Sequence, residues 1–423
     1  METCEPAAAS RAALLRFAFA FKTYRFSATH LYLGTFLCGK RYHHGRHHVR
    51  PCMTTTWTAR TPWRWIFALS FFDPAAPVLC DSVSTSRKLP GNDIYNHNRA
   101  CVTLSFVTAD GRRFMGNSVV LNTVADKDTL VSTLAKYSFS TQDLLYYIPE
   151  SILIPFDVLA TNFSAPLPAL PSVPCLLKMP MGSSGDGVYY ISTPSELLPI
   201  IQQNYQAAIA EKGFLESLVQ SRGTVPQLIL QAEIPSYILP SRRKFSLRSY
   251  VLILVSSTNL TMHLYSDIEV RLAAVPMSDD CGVARDRSMH ITNGAGKSDT
   301  TRCLLTDVPE LLTFSDRVAA FMTTLFGTYL RPEIVENARV DVEGIRGGAV
   351  EVRSCLAGVD LMIDSGECVK LLEINVNPAA PPENVVGGEF RDHLVTFGRE
   401  LVTVTKGEES GKFERIAFVK LGE

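Results

Sequence analysis

Apolar and polar positions follow two periods in this chain. From Ala100 onward, short runs that alternate or are wholly apolar trade places with stretches repeating every 3.6 residues, which predicts a mixed α/β architecture. Strands are predicted over Ala100–Thr108, Ser118–Leu121, Val173–Met179, Val188–Ile191, Pro226–Gln231, Phe245–Val255, Leu260–Tyr265 and Glu269–Val275, with a closing hairpin over Gly358–Val376. One helix is predicted over Asp126–Tyr137, with Leu130, Val131 and Leu134 on one face, and a long one around Asp316–Leu330. Another opens at Thr193-Pro194-Ser195-Glu196, where Thr193 caps, Pro194 takes the first turn and Glu196 sits three residues beyond the cap. Phe390, Leu394, Phe397 and Leu401 form a late helical stripe that belongs to a core. The proline-rich segment Phe163–Pro174 reads as a linker between lobes.

Composition narrows this picture. A chain of 423 residues, 46% apolar and 20% charged, is globular and long enough for several domains and a cleft between them. The net charge of −1 hides an asymmetry. Residues 1–72 hold ten Lys/Arg against Glu2 and Glu5, so the remainder is acidic and lacks the basic face of a general nucleic-acid binder. That leading stretch reads as a basic, disordered extension, either a targeting segment or an upstream addition to the gene. Its cluster Arg41-Tyr42-His43-His44-Gly45-Arg46-His47-His48 reads as solvated rather than metal-binding, because Arg41 and Arg46 repel a cation and no Cys or carboxylate completes a set. Ten cysteines without a C-x-x-C pair read as reduced thiols of a cytoplasmic protein. The apolar run Trp65–Phe72 is far short of the ~20 residues of a membrane span, so no membrane partner is expected.

Three stretches carry candidate chemistry. In the terminal hairpin two apolar strands flank the polar turn Asp364–Glu367. Glu373 and Asn375, two apart, project from one face of a strand, and Asp360 falls opposite residue 371 or 373 on that face. Two carboxylates and a carboxamide among apolar neighbours suit a Mg²⁺ carrying nucleotide phosphates; the competing reading is an amphipathic hairpin with its polar face in water. The second stretch is a strand ending in Lys178, followed by the loop Gly182-Ser183-Ser184-Gly185-Asp186-Gly187, whose backbone can approach phosphate oxygens, or which is an ordinary hairpin turn. It meets neither Walker nor dinucleotide spacing. In the third, Lys244, Ser246 and Arg248 alternate onto one face, either a dock for a triphosphate or acidic substrate or a solvated edge strand.

Together these pieces resemble the tubulin-tyrosine ligase-like group of ATP-grasp ligases, in order over about residues 95–400. The family's phosphate strand and loop resemble Leu177-Lys178-Met179-Pro180 with Gly182–Gly187, and its K-F-D-x-R strand resembles Lys244-Phe245-Ser246-Leu247-Arg248. Its arginine strand is similar to Tyr265-Ser266-Asp267-Ile268-Glu269-Val270-Arg271, and its H-L-T-N signature to His290-Ile291-Thr292-Asn293. The metal hairpin, with acid, acid and Asn at offsets of 13 and 15, matches Asp360, Glu373 and Asn375. Upstream, Asp126-Lys127-Asp128-Thr129-Leu130 and Ile148-Pro149-Glu150-Ser151 resemble the lysine helix and the P-E-[ST] segment.

The resemblance implies an α/β (α+β) ATP-grasp fold with N-terminal (73–126), central (127–240) and C-terminal (241–405) subdomains and a tail (406–423), with ATP between the central and C-terminal ones. It implies that Lys127 and Lys178 contact phosphates, that Gln231, Ala232, Glu233 and Ile234 line the adenine, and that Gly182, Ser183, Ser184, Gly185, Gly187 and Lys244 also belong to the nucleotide-binding set. Arg248 and Arg271 would bind phosphate or the carboxylate substrate, and Asp360, Glu373 and Asn375 would hold Mg²⁺. Lys178, Arg248, Arg271 and Glu373 are then the catalytic set. The implied reaction adds a free amino acid (Glu, Gly or Tyr) to a tubulin tail or another acidic protein tail, in a monomeric enzyme near the cytoskeleton or cilium. One departure stands out: Ser246 occupies the Asp position of K-F-D-x-R, which leaves a non-catalytic binding module with the same fold as the rival reading. A small-molecule ATP-grasp ligase is disfavoured by Lys244–Arg248 and His290–Asn293.

Overall fold

A computed structural model describes residues 105–107, 113–115, 118–138, 140–155, 174–180, 187–210, 225–277, 292, 301–346, 351–376, 378, 388–405 and 407–421. The basic leading segment, the loop residues Gly182–Asp186, and His290, Ile291 and Asn293 lie outside the described residues. In chain order the strands and helices are β1 (Ser105–Val107), β2 (Arg113–Met115), α1 (Lys127–Tyr137), α2 (Thr141–Tyr147), β3 (Ser151–Pro155), β4 (Cys175–Lys178), β5 (Val188–Ile191), α3 (Pro194–Ala210) and β6 (Gln227–Ala232). They continue with β7 (Phe245–Ser256), β8 (Asn259–Tyr265), β9 (Glu269–Leu272), β10 (Thr301–Leu304), α4 (Ser315–Thr324), α5 (Arg331–Arg346), β11 (Val352–Ile363), β12 (Val369–Val376), α6 (Gly388–Thr405) and β13 (Phe413–Lys420).

The unbroken apolar run of β7 makes it a central strand, since only burial on both faces suits such a sequence. It pairs antiparallel with β11, β8 and β9 in a nine-stranded sheet, so the edge-strand reading of Lys244–Arg248 does not hold. Its odd positions Phe245, Leu247, Val251, Ile253 and Val255 enter the main core, together with residues of α1, α4 and α5. On the other face Tyr250 and Leu252 meet Phe397 and Leu401 of the predicted stripe, and Val404 further along α6. Ser246 and Arg248 lie on this second face, beyond that apolar contact. A smaller four-stranded sheet, β3-β6-β4-β5, packs its own core of Ile154, Cys175, Leu177, Leu228 and Leu230 against Leu197 and Ile201 of α3.

Several expectations change. Ser118–Leu121 forms turns rather than a strand, with Ser118 donating to the buried Asp341 carboxylate on α5 at 2.5 Å. The predicted Asp316–Leu330 helix is α only to Thr324 and continues as one π-helical stretch, Leu325–Tyr329. The strand from Glu269 ends at Leu272 instead of Val275. Glu196 reaches back past Thr193 to the Ser192 amide at 2.9 Å. Helix α5 was not anticipated, although Ile334, Ala338, Val342 and Ile345 mark one buried face at helical spacing. None of the helices among the described residues is long and apolar enough to cross a membrane.

His263 on β8 stands opposite Arg415 on β13. Burial first, and Arg415 second, lower its pKa from 6.5 to about 4. The unfolded chain therefore takes up this proton before the folded one, so the stability contribution is complete above pH 6.5 and is lost as pH falls towards 4. Denaturant titrations between pH 7.5 and 4.5 should lose roughly 1–2 kcal/mol through this residue. His263→Gln should flatten that part of the profile, and an unchanged slope would refute the assignment.

Candidate active site

The acidic centre is assembled by register. On the central pair, Asp360 of β11 is the direct cross-strand partner of Arg248 on β7, and on its other side of Glu373 on β12. Gly358 pairs with Asn375. Between Leu361↔Leu371 and Asp360↔Glu373 the register slips, leaving Leu372 as an extra residue. This bulge changes the parity of β12, so Leu371 and Ile374 both reach the core while Glu373 and Asn375 join Asp360 on the opposite face. Of the two predicted partners of Asp360, residue 373 is the one observed, and the turn spans Asp364–Cys368, closed by the Asp364 amide to Cys368 O at 2.9 Å.

Asp360 is 3% exposed, which removes the solvated-hairpin reading. Its carboxylate accepts two bonds from Arg248, Nε at 2.6 Å and Nη2 at 2.7 Å, and one from Arg271 Nη1 at 3.2 Å. The Asn375 amide donates to Asp360 at 3.3 Å and to Glu373 at 3.2 Å, bridging the two acids. Glu373 in turn pairs with Lys127 at 3.1 Å. Burial pushes Asp360 upward, and Glu373 adds to this against the pull of Arg248 and Arg271. Burial also works against the Glu373 charge, but Lys127 and the surrounding hydrogen bonds outweigh it and hold the carboxyl well below the usual range. Arg248, despite burial, is held above its ordinary value by Asp360.

The remaining candidate residues converge from α1 and the smaller sheet. Lys127, the first residue of α1, donates its amide to Pro180 O at 3.2 Å, tying that helix to the strand end from which the glycine loop departs. Gly187 closes this loop at φ 71°, a left-handed conformation glycine adopts without strain, and its carbonyl accepts from the Met179 amide at 2.8 Å. Lys178 ends β4, buried, and donates to Gln231 Oε1 at 2.5 Å; Gln231 donates onward to Ser151 Oγ at 2.9 Å. Burial, with Lys127 as a second cause, lowers the Lys178 pKa to about 8 against the opposing pull of Glu373. Glu233, just past β6, receives the buried ammonium of Lys244 and the Tyr190 hydroxyl at 3.1 Å. Ala232 and Ile234 flank this acid in the segment leaving β6, with the Ala232 amide on Glu150 O at 2.8 Å.

Thus Lys127, Lys178, Arg248, Arg271, Asp360, Glu373 and Asn375 form one cluster, Gln231 joins it through Lys178, and Lys244 and Glu233 form a separate pair. Gly182, Ser183, Ser184 and Gly185 lie outside the described residues. Two residues escaped the sequence reasoning. Glu269 and Arg302, on neighbouring strands β9 and β10, meet at 2.7 Å behind Arg271. Glu269 lies inside the arginine-strand motif, but nothing in its spacing marks it as buried.

The donor set fits a hard divalent cation. Asp360 and Glu373 supply carboxylate oxygens, and a half-turn of the Asn375 amide would present a third oxygen where its nitrogen now bridges them. A dication there would also offset the burial and mutual repulsion acting on the two acids. Among the described residues no group of three or more His, Cys, Asp or Glu side chains has metal-site geometry; this candidate set has two such side chains and a carboxamide. Around the acids, five basic groups (Lys127, Lys178, Arg248, Arg271 and Arg302) face three carboxylates, a cationic excess suited to phosphates.

Gly358 admits the close approach of two side chains to this centre. A Cβ here would lie 2.8 Å from Pro378 Cβ and 3.4 Å from Arg248 Cδ. Gly358→Ala is expected to cost about 1–3 kcal/mol through overpacking against Pro378, while Arg248 stays at ordinary contact distance. Thermal unfolding would check this, and a wild-type melting temperature would contradict it.

No curated protein matches the chain. A family model described as "Tubulin-tyrosine ligase family" matches residues 126–395, which takes in α1, the smaller sheet and the strands carrying every residue of the cluster. The chain belongs to the tubulin-tyrosine ligase family.

Proposed function

We propose that this protein is an ATP-dependent carboxylate–amine ligase that adds an amino acid, Glu, Gly or Tyr, to the tail of tubulin or another acidic protein. Family membership supports ligase chemistry in general. The observation that carries the reading is the direct pairing of Asp360 with Glu373 beside Asn375, Lys127 and Lys178. A tail carboxylate attacks the γ-phosphorus, ADP leaves, and an acyl phosphate forms. The amine of the incoming amino acid then attacks the acyl carbon, phosphate departs, and the amine's proton passes to solvent or to phosphate.

The protein's part is binding and charge stabilisation. Lys127 and Lys178 meet the phosphates, with Gly187 closing the loop that leaves the Lys178 strand. Gln231, Ala232, Glu233 and Ile234 line the adenine, and Lys244, held by Glu233, borders it. Arg248 and Arg271 take the substrate carboxylate or the transferred phosphoryl group. Mg²⁺, held by Asp360, Glu373 and Asn375, would neutralise charge on the phosphate oxygens. No nucleophilic side chain is needed. In this reading ATP lies between the smaller sheet and the nine-stranded one, and the protein works near microtubules.

Incubation with Mg-ATP, tubulin and each labelled amino acid in turn tests the proposal, incorporation of one of them being the expected result. Ser246 favours a second reading, a nucleotide-holding binding module without ligation. ADP release that depends on a tail peptide would decide for the ligase, and its absence for the module.

A further inference from the structure

We infer that Glu269 is a positioning residue that clamps Arg271 and Arg302 side by side at the edge of the acidic centre, supplying from β9 a carboxylate that β7 lacks at Ser246. Glu269 is 1% exposed and accepts from Arg271 Nε at 3.0 Å and Nη2 at 3.4 Å, Arg302 Nη1 at 2.7 Å and the Tyr250 hydroxyl at 3.0 Å. Such a buried carboxylate is retained only with its charge fully met, and here two guanidinium groups and a phenol meet it. Arg271, 1% exposed and thereby fixed, extends its remaining nitrogen Nη1 to Asp360.

Register explains why Glu269 can serve a site built on β7 and β11. Arg248 is its cross-strand partner, and Ser246 is the partner of Arg271, so all four side chains share one face of the sheet. Ser246 is buried and accepts from Thr292 Oγ1 at 2.6 Å, offering the arginines no charge. The arginine opposite Ser246 takes its carboxylate from two residues along its own strand instead. Without Glu269, Arg271 and Arg302 would repel each other and Arg271 would leave its line towards Asp360.

This inference rests on the ligase reading for its kinetic consequence but not for the clamp itself. In the full chain, Glu269→Gln should lower kcat for amino-acid incorporation about 10–100-fold, the range for partners that orient a reacting group, while the KM for Mg-ATP moves less than about threefold. Glu269→Gln/Ser246→Asp, which returns a carboxylate opposite Arg271, should recover most of that loss. A merely structural role would lower kcat and stability together without rescue.

Protein labelled with ¹⁵N at arginine Nε separates the two readings. The Arg271 Nε–H resonance, assigned through Arg271→Lys, should be slow to exchange in the wild type, lost in Glu269→Gln and regained in the double variant. A wild-type protein that incorporates no amino acid would sink the ligase reading while the resonances still decide the clamp. Full kcat in Glu269→Gln, failure of the double variant to recover, or an unchanged Arg271 resonance would overturn the inference.

Discussion

Glu373→Gln is expected to reduce tail-dependent ADP release about 1000-fold while leaving the protein folded, the upper end of what removal of one transition-state-stabilising group costs. Gln keeps the volume of the side chain and a carbonyl oxygen for the Asn375 amide, now at 3.2 Å, but loses the charge that the site holds ionised through Lys127. The Lys127 side chain is 14% exposed, so losing its partner costs about 1 kcal/mol and about one degree of unfolding temperature. ADP release and a thermal melt on the same preparation check both halves. Undiminished turnover would remove Glu373 from the metal set and with it the main support for the ligase.

Asp360→Ala should behave differently, because this carboxylate has a structural partner on each side. Its removal strands the guanidinium group of Arg248, whose side chain is 6% exposed, and takes from Arg271, 2% exposed, one of its acids while Glu269 remains. Breaking such a buried pair from one side costs about 3–5 kcal/mol, about 3–6 °C in unfolding temperature for a chain of this size. Activity should vanish as well. Asp360→Ala/Arg248→Met, which removes the charge and its main partner, should regain part of the stability without activity. A melting temperature of Asp360→Ala within about 2 °C of wild type, with both arginines still buried, would contradict the account.

The two variants separate functions that look alike in the sequence. Asp360 and Glu373 are both acids on apolar strands, and their spacing alone makes them equivalent candidates. Their neighbours differ. Glu373 faces a lysine with some access to water, whereas Asp360 lies between two buried arginines from β7 and β9.

Much of the architecture was legible because burial leaves periodic marks. The twelve-residue run of β7, the stripe Phe390–Leu401 and the face Leu130–Leu134 follow the alternation of strands and the 3.6-residue turn of helices, and all three are seen. Ser118–Leu121 misled because a β-branched apolar run fits a strand equally well; its position is set by Asp341, more than two hundred residues away. Helix α5 is not legible in the same way, because its many charged positions obscure a four-residue apolar face. Of the candidate site, the acids, the asparagine and the basic residues were readable as residue types at fixed spacing.

What the sequence alone determined is the chemical inventory: an oxygen-rich hairpin, strand-end lysines and an arginine-bearing strand, ordered as in the tubulin-tyrosine ligase family. Which groups meet was decided by tertiary structure. Residue spacing could not choose between 371 and 373 as the partner of Asp360, because a one-residue bulge at Leu372 reverses which side chains face the core. Nor could it disclose that Glu269 and Arg302 back the site, since pairing between β9 and β10 depends on how a sheet closes over a core, not on any local pattern.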